Sequence, residues 1–131
     1  MFARVDTRPR KRNSHRADEW KRCEPFLRWL RGRRCMLEAK GGCSGKVRAC
    51  HVDYAGDKGI GTKVADEHAV PMCDGHHGQQ HAWGWKSFEA NYRINPSTLE
   101  AAAAYWRAWP GRGAWLARRG VDLDDVAEDD A

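Results

Sequence analysis

Nine residues near the middle of the chain, CDGHHGQQH at 73–81, contain one cysteine and three histidines. Four more cysteines precede this segment, which gives the chain five in total. An odd number of cysteines outside a secreted protein argues against a disulfide framework and favours metal ligation or burial as reduced thiols. Because a chain of 131 residues builds only a modest hydrophobic core, a bound metal ion would add to its stability.

Composition excludes several classes of protein. No apolar run approaches the 18 residues that a membrane-spanning helix needs. The first residues, MFARVDTRPRKRN, are basic but lack the apolar segment of a secretory signal, so we expect a cytoplasmic protein with no membrane partner. The loop DYAGDKGIGTKVADEH contains no Walker-type GK[ST] sequence, which argues against a nucleotide-binding loop.

Charge is unevenly distributed along the chain, whose net charge is +5. Residues 1–16 are basic and poor in apolar side chains, which predicts a disordered arm. Residues 121–131 contain no basic side chain and form an acidic tail. The basic arm either contacts the phosphates of a nucleic acid or is a solvated chain end, and the charge pattern leaves both interpretations open.

Three segments complete the predicted organisation. Residues 17–34 should form an N-terminal helix, since EPFLRWLRG has proline in its first turn, an apolar face and glycine at its end. Residues 35–94 should form the core, which begins with a β-hairpin made of the strand CMLEA, the turn KGGCSG and the strand KVRACHV. Residues 95–120 should form C-terminal helices, because STLEAAAAYWRAW is rich in strong helix formers.

The second half of the core is predicted to be helical. The extended stretch VPMC leads into a helix that should begin at Asp74, a residue type favoured at helix N-termini. The segment WGWKSFEANYRI predicts a further helix. A hairpin followed by helices indicates the α+β fold class.

One candidate zinc site combines the hairpin with this helix. Cys35 and Cys43 flank the turn, and Cys73 and His76 form a C-x-x-H pair at the start of the helix. Three thiolates and one imidazole are an ordinary ligand set for structural zinc. The alternative is that Cys35 and Cys43 are unrelated buried thiols, since their separation exceeds that of the usual C-x₂₋₄-C knuckle.

A second metal site is predicted on the same helix. His77 and His81 are four residues apart, so they lie on one helix face and can share an ion. His77 follows His76 directly and points about 100° around the helix from it. His51, at the end of the predicted second strand, is a candidate general base beside that ion, although a half-buried structural histidine is the alternative.

The order of these motifs resembles the HNH nuclease superfamily. The resemblance runs from about Cys35 to His81 and rests on a hairpin, a histidine at the end of its second strand, a loop, and C-x-x-H-H on a helix. The stretches ACHVDYAG, GIGTK, DEHAVPMC and DGHHGQQHAWG are similar to a phage-associated subgroup that includes recombination-enhancement nucleases. The resemblance implies a small zinc-stabilised ββα-metal core, treble-clef-like, with flanking α-helices.

The resemblance also implies roles for the site residues. His51 matches the general base, His77 the ligand of a catalytic divalent ion (Mg²⁺, Mn²⁺ or Zn²⁺), and His81 an additional helix ligand. The zinc knuckles of many members match the structural zinc set, which is Cys35, Cys43, Cys73 and His76. The central position of the H-N-H motif falls at His68.

Three other positions of the motif leave alternatives open. Asp66 matches a loop carboxylate that orients His51 or binds the ion, so either Asp66 or His68 fills the remaining catalytic role. Cys50 stands where many members have an aspartate or histidine ligand, and it is either a metal ligand or a thiol packed in the strand. Lys63 either contacts a phosphate or is a solvated loop lysine.

The implied function is metal-dependent hydrolysis of DNA phosphodiester bonds by a phage- or prophage-encoded endonuclease. The implied partners are DNA and a recombinase filament or another DNA-processing protein. Two alternatives remain: a zinc-stapled DNA-binding module without catalysis, and an interaction adaptor that works through the tryptophan-rich C-terminal helices. The seven tryptophans themselves are better explained as core and helix-packing anchors than as base-stacking platforms.

Overall fold

A computed structural model describes residues 21–55 and 64–120 of the chain. Within these residues the fold is α+β, with a two-stranded sheet, five α-helices and a short 3₁₀-helix. In chain order the elements are α1 (Glu24–Arg31), the 3₁₀-helix (Glu38–Lys40), β1 (Val47–His51), β2 (Ala69–Cys73), α2 (Asp74–Trp83), α3 (Trp85–Tyr92), α4 (Thr98–Ala108) and α5 (Arg112–Arg118). The predictions for the basic arm at 1–16, for the acidic tail at 121–131 and for Lys63 fall outside the described residues.

The sheet does not pair the two strands that the sequence predicts. β1 runs antiparallel to β2, with Val47 opposite Cys73 and His51 opposite Ala69. The predicted first strand, CMLEA at 35–39, is instead a turn that leads into the 3₁₀-helix. The hairpin prediction is therefore wrong in its first strand and right in its second.

Burial of alternate side chains makes CMLEA look like a strand in the sequence, although the segment turns away from the sheet. The Met36 N–H donates to the Pro71 carbonyl at 2.9 Å, but this segment then folds back through a bond from the Glu38 N–H to the Cys35 carbonyl. Cys35 and Leu37 are both buried against the main core. They alternate with Met36, which is only partly buried, and this alternation imitates a strand.

Helix α2 follows β2 without a connecting loop. The side chain of Cys73 caps it by accepting a hydrogen bond from the His76 N–H, so Cys73 takes the capping position that the sequence assigned to Asp74. Asp74 instead binds across to β1, 2.6 Å from the Arg48 guanidinium and 3.1 Å from the Lys46 N–H. This contact fixes the start of α2 against the first strand.

The sheet and the helices around it form two hydrophobic clusters. The larger one contains Cys50, Val70 and Met72 of the sheet together with Phe88 of α3. The smaller one packs α1 against Ala69 and the end of α4. Its aromatic members are in contact, with the Phe26 ring 5.0 Å from Trp106 and 5.5 Å from Trp109 between ring centroids.

Most of the tryptophans within the described ranges pack against other side chains rather than project into solvent. Trp109 is buried, and Trp29, Trp106 and Trp115 pack against the smaller cluster. Trp83, at the end of α2, is 43% exposed. No helix in residues 21–55 and 64–120 has the length and apolar character needed to cross a bilayer.

Candidate metal centre and neighbouring histidines

The four side chains predicted to bind structural zinc converge on one point. The ligand atoms of Cys35, Cys43, Cys73 and His76 all lie within 4.8 Å of one another. Cys43 is exposed, whereas the other three are buried. Within the described part of the chain, this is the only group of three or more Cys, His, Asp or Glu side chains that meets this distance.

The distances inside the cluster fit a tetrahedral zinc ion. His76 Nδ1 lies 3.5 Å from the Cys35 sulfur, 3.6 Å from the Cys43 sulfur and 3.2 Å from the Cys73 sulfur. A tetrahedral ion with ordinary Zn–S and Zn–N bonds separates sulfur and nitrogen ligands by about 3.5 Å. The cluster is therefore already arranged for a metal such as zinc.

A hydrogen bond to the backbone sets the tautomer of His76. Its Nε2 lies 3.0 Å from the Gly41 carbonyl, which can only accept, so Nε2 carries the proton. The lone pair of a neutral ring is then on Nδ1, the nitrogen that faces the three sulfurs. Metal-bound histidines commonly use a carbonyl or carboxylate in this way to fix the ring.

Backbone N–H groups prepare two of the sulfurs for ligation as thiolates. The Leu37 N–H donates to the Cys35 sulfur and the His76 N–H to the Cys73 sulfur, each at 3.4 Å. Burial opposes ionisation of Cys73, but the N–H groups of His76 and Ser44 outweigh it and lower the pKa of the thiol to about 6. Because thiolates rather than thiols bind metal, Cys73 is the best prepared ligand.

Glycines allow the loop before β1 to close around this centre. Gly41 and Gly42 have φ values of 84° and 82°, a left-handed backbone that other residues adopt at a cost. The Gly41 carbonyl lies on the His76 ring, and the chain continues from there to Cys43. The sequence predicted a hairpin turn at these glycines; their positive φ values fit that prediction, but the segment does not join two paired strands.

His77 and His81 form a separate pair on another face of α2. Their Nε2 atoms are 3.0 Å apart, and both rings reach the surface while His76 is fully buried. Partial burial and the neighbouring His81 lower the pKa of His77, so His77 favours the neutral form that binds metal. The structure brings these two residues together as predicted, and their role as ligands of a catalytic ion stays a prediction.

His51 and Asp66 form a second polar pair. His51 Nε2 lies 2.8 Å from Asp66 Oδ1, and Asp66 Oδ2 accepts the Cys23 N–H at 2.5 Å. Burial opposes ionisation of Asp66, but the hydrogen bonds from His51 and Cys23 outweigh it and lower the pKa of the carboxyl. Of the two roles left open for Asp66, the contact favours orientation of His51.

The ring of His68 lies near the neighbouring Glu67, and its backbone pairs with Val52. Its ring nitrogen lies 3.7 Å from the Glu67 carboxylate, and its carbonyl accepts the Val52 N–H at 2.8 Å, which extends the pairing of the strands by one residue. His68 thus contributes its backbone to the position of His51. A catalytic role for its ring stays a prediction.

Cys50 is a buried thiol of the main core, with 2% of its surface exposed. Burial, together with the charge of Asp53, raises its pKa to about 12, so the sulfur keeps its proton. A protonated sulfur is a poor metal ligand. The structure therefore favours the second interpretation of Cys50, a thiol packed in the strand.

Sequence reasoning missed three contacts that shape the site. Neither the Cys23 N–H nor the Gly41 carbonyl has a side-chain signature, because backbone groups are present at every residue. The Arg48–Asp74 ion pair was also missed, although its residue types made an ion pair possible.

Comparisons with family models, curated proteins and solved structures find no match to this chain.

Proposed function

We propose that the protein is a metal-dependent endonuclease of the HNH type that hydrolyses DNA phosphodiester bonds. One observation supports this most: a single helix, α2, carries His76 toward the cysteines on one face and the adjacent His77 and His81 rings on another. In the structure α2 follows β2 directly, and His51 ends β1, the first strand of the sheet, whereas the resemblance to HNH nucleases implies a histidine at the end of the second strand of a hairpin.

In the proposed reaction, His51 takes a proton from the attacking water. Asp66 holds the imidazole by its Nε2 atom, which leaves Nδ1 as the nitrogen that accepts the proton. The carboxylate also stabilises the imidazolium that forms, as a positioning group rather than a proton acceptor. His51 lies at the C-terminal end of β1, where the strand leaves the sheet and its side chain is half-exposed to incoming substrate.

His77 and His81 supply two neutral nitrogen donors for the catalytic ion. A divalent ion held by these two rings would supply positive charge that stabilises negative charge on a phosphate oxygen. Two imidazoles favour Mn²⁺ or Zn²⁺ over Mg²⁺, because Mg²⁺ prefers oxygen ligands. The small number of protein donors leaves coordination positions for substrate and water.

The Cys₃His centre has a structural role in this proposal. It joins the loop at 35–43 to the junction of β2 and α2, and so holds the helix in register with the sheet. Zinc suits three thiolates and one imidazole and, with all four positions filled, leaves none for substrate. A link to recombination, to a phage or prophage and to a recombinase filament belongs to the same proposal and rests on the resemblance.

Nicking of supercoiled plasmid tests the proposal. Zinc-loaded protein is incubated with added Mg²⁺, Mn²⁺ or Zn²⁺, or with none, and His51→Ala protein serves as the matched control. We expect nicking that requires an added ion and disappears in the variant. Equal nicking by parent and variant, or none by either, would contradict the proposal.

One observation supports a second candidate, a zinc-stapled DNA-binding module without catalysis. In residues 21–55 and 64–120, no third Cys, His, Asp or Glu side chain brings a ligand atom within 4.8 Å of both rings of the His77–His81 pair. Plasmid that is retarded on a gel by the protein, yet stays intact with every ion, would favour this candidate.

A further inference from the structure

Two segments that are far apart in the chain concentrate its positive charge. Residues 21–34 contain six Lys and Arg side chains and one Glu, and residues 110–120 contain three arginines and no acidic residue. Their combined net charge of +8 exceeds the +5 of the whole chain, so the rest of the chain is negative. These segments include α1 and α5.

The smaller hydrophobic cluster brings the two segments together. Cys23, at the start of α1, and Trp109, just before α5, are buried in this cluster, and Trp115 of α5 packs against it. The start of α1 and helix α5 therefore lie against the same cluster, although 80 or more residues separate the helices in the sequence.

The same region borders the proposed general base. Ala69, another member of the smaller cluster, pairs with His51 across the sheet. Asp66 joins the two directly, since it binds the His51 ring with one oxygen and the Cys23 N–H with the other. The start of α1 is thus one side-chain length from the imidazole of His51.

Three arginines lie at this border, and we call Arg22, Arg118 and Arg119 the basic rim. The guanidinium groups of Arg118 and Arg119 lie 5.5 Å and 5.7 Å from the centre of the Trp115 ring, and both side chains are exposed. Burial raises the pKa of Cys23 to about 11, and the nearby charges of Arg118 and Arg119 oppose that rise. The charge of Arg22 contributes to the lowered pKa of Asp66, which places it close to that carboxylate.

From this arrangement we propose that the basic rim binds the phosphates of a nucleic-acid strand and leads that strand to His51. The inference rests on the proposed function for the role of His51, and it names arginines that bind the substrate backbone. Planar guanidinium groups suit phosphate oxygens, and two of them lie near the Trp115 ring. Contacts of this kind recognise the backbone and not the base sequence.

Salt dependence of binding tests the rim. The dissociation constant for a short fluorescein-labelled DNA duplex is measured by anisotropy between about 50 and 200 mM salt, without added magnesium or manganese. In Arg118→Ala/Arg119→Ala protein, we expect the slope of log K against log salt to decrease by about two, one for each lost phosphate contact. Single-stranded DNA and RNA of the same sequence show which backbone the rim prefers.

Two control variants separate local contacts from general charge. Lys40→Ala/Lys86→Ala removes the same charge from exposed positions outside the rim and should keep the parent slope. Arg118→Lys/Arg119→Lys keeps the charge and should restore most of the slope. Circular dichroism and zinc content establish that every variant is folded.

The results have distinct meanings for the two proposals. A parent slope in the Arg118→Ala/Arg119→Ala protein, an equal decrease in the lysine control, or no binding by the parent overturns the rim. The rim is also overturned if the parent binds anionic phospholipid vesicles and the double variant loses that affinity, while the variant binds all three nucleic acids as the parent does. A decreased slope in a protein that cuts no plasmid keeps the rim and overturns the nuclease.

Discussion

At the scale of single residues, His51 and Asp66 define the chemistry that we propose. The contact between them was one of two possibilities for Asp66 in the sequence, and the geometry favours it. The anchor of Asp66 on the Cys23 N–H was not predictable, because that contact joins a backbone group to a residue 43 positions away.

Replacement of the base gives the first prediction. We expect His51→Ala to lower the cleavage rate by about 10²- to 10⁴-fold, the usual contribution of a general base. The fold and the zinc content should not change, because His51 is half-exposed and outside the Cys₃His set. Single-turnover cleavage and zinc analysis measure the two effects, and loss of zinc in the variant would contradict the assignment.

Acid stability gives a prediction for Asp66. Its carboxyl has a lower pKa in the folded than in the unfolded chain, so it stabilises the fold above the unfolded value of about 4. That contribution is lost as the pH falls through the folded value. We expect the free energy of unfolding of the parent to exceed that of Asp66→Asn by about 1–2 kcal/mol above pH 5 or so.

The difference between these two proteins should shrink below about pH 4, where the carboxyl of the unfolded parent becomes protonated, and it should be lost below the lower pKa of the folded parent. Denaturant melts of both proteins across this range measure it. Loss of zinc in acid affects parent and variant alike and largely cancels in the difference. A gap that stays constant down to the lowest pH would show that the charge of Asp66 is not what stabilises the fold.

At the scale of elements, α2 is the most important element for the proposed function. Its start and its two histidine faces were predictable, because spacings of three and four residues fix directions around a helix. The partner of β1 was harder to predict. Seventeen residues separate the end of β1 from the start of β2. The local sequence pattern therefore favoured the nearer CMLEA segment as the partner of β1. The actual pairing depends on contacts between residues that are far apart in the chain.

Titration with Mn²⁺ tests the outer face of α2. We expect zinc-loaded parent protein to bind one Mn²⁺ at the His77–His81 pair, and His77→Ala to lose that event while it keeps its zinc. Gly78→Ala is the matched control, since a methyl group at this position meets no atom within 4 Å. The control should bind Mn²⁺ as the parent does and gain about 0.5–1 kcal/mol of stability from the better helix former. Equal Mn²⁺ binding by parent and His77→Ala would contradict the assignment.

At the scale of the whole molecule, the Cys₃His cluster brings together side chains from two separate segments of the chain. Its ligands come from the loop before β1 and from the junction of β2 and α2. All four residues were predictable, because few residue types bind zinc, although the separation of Cys35 and Cys43 exceeds that of the usual knuckle. The aromatic packing of α1 against α4 was only partly predictable, since apolar residues do not specify their partners.

Removal of zinc should therefore unfold the protein. We expect a chelator to abolish the far-ultraviolet circular dichroism of the helices and added zinc to restore it, because zinc-finger sites bind with about 10–16 kcal/mol. Cys73→Ala should stay unfolded in zinc, whereas Cys50→Ala should refold, with only the loss of stability expected from a small core cavity. A Cys73→Ala protein that melts like the parent would refute a structural role for the centre.

The central claim is that one short helix presents two faces to two ions, one that holds the fold and one that meets a nucleic-acid backbone beside His51. Anomalous diffraction from crystals grown with zinc and soaked in Mn²⁺ tests it most directly. The account predicts a zinc peak among Cys35, Cys43, Cys73 and His76, and a manganese peak at His77 and His81 in a cleft that His51 also lines. A single peak at the cysteines, with the rings of His77 and His81 facing away from His51, would contradict it.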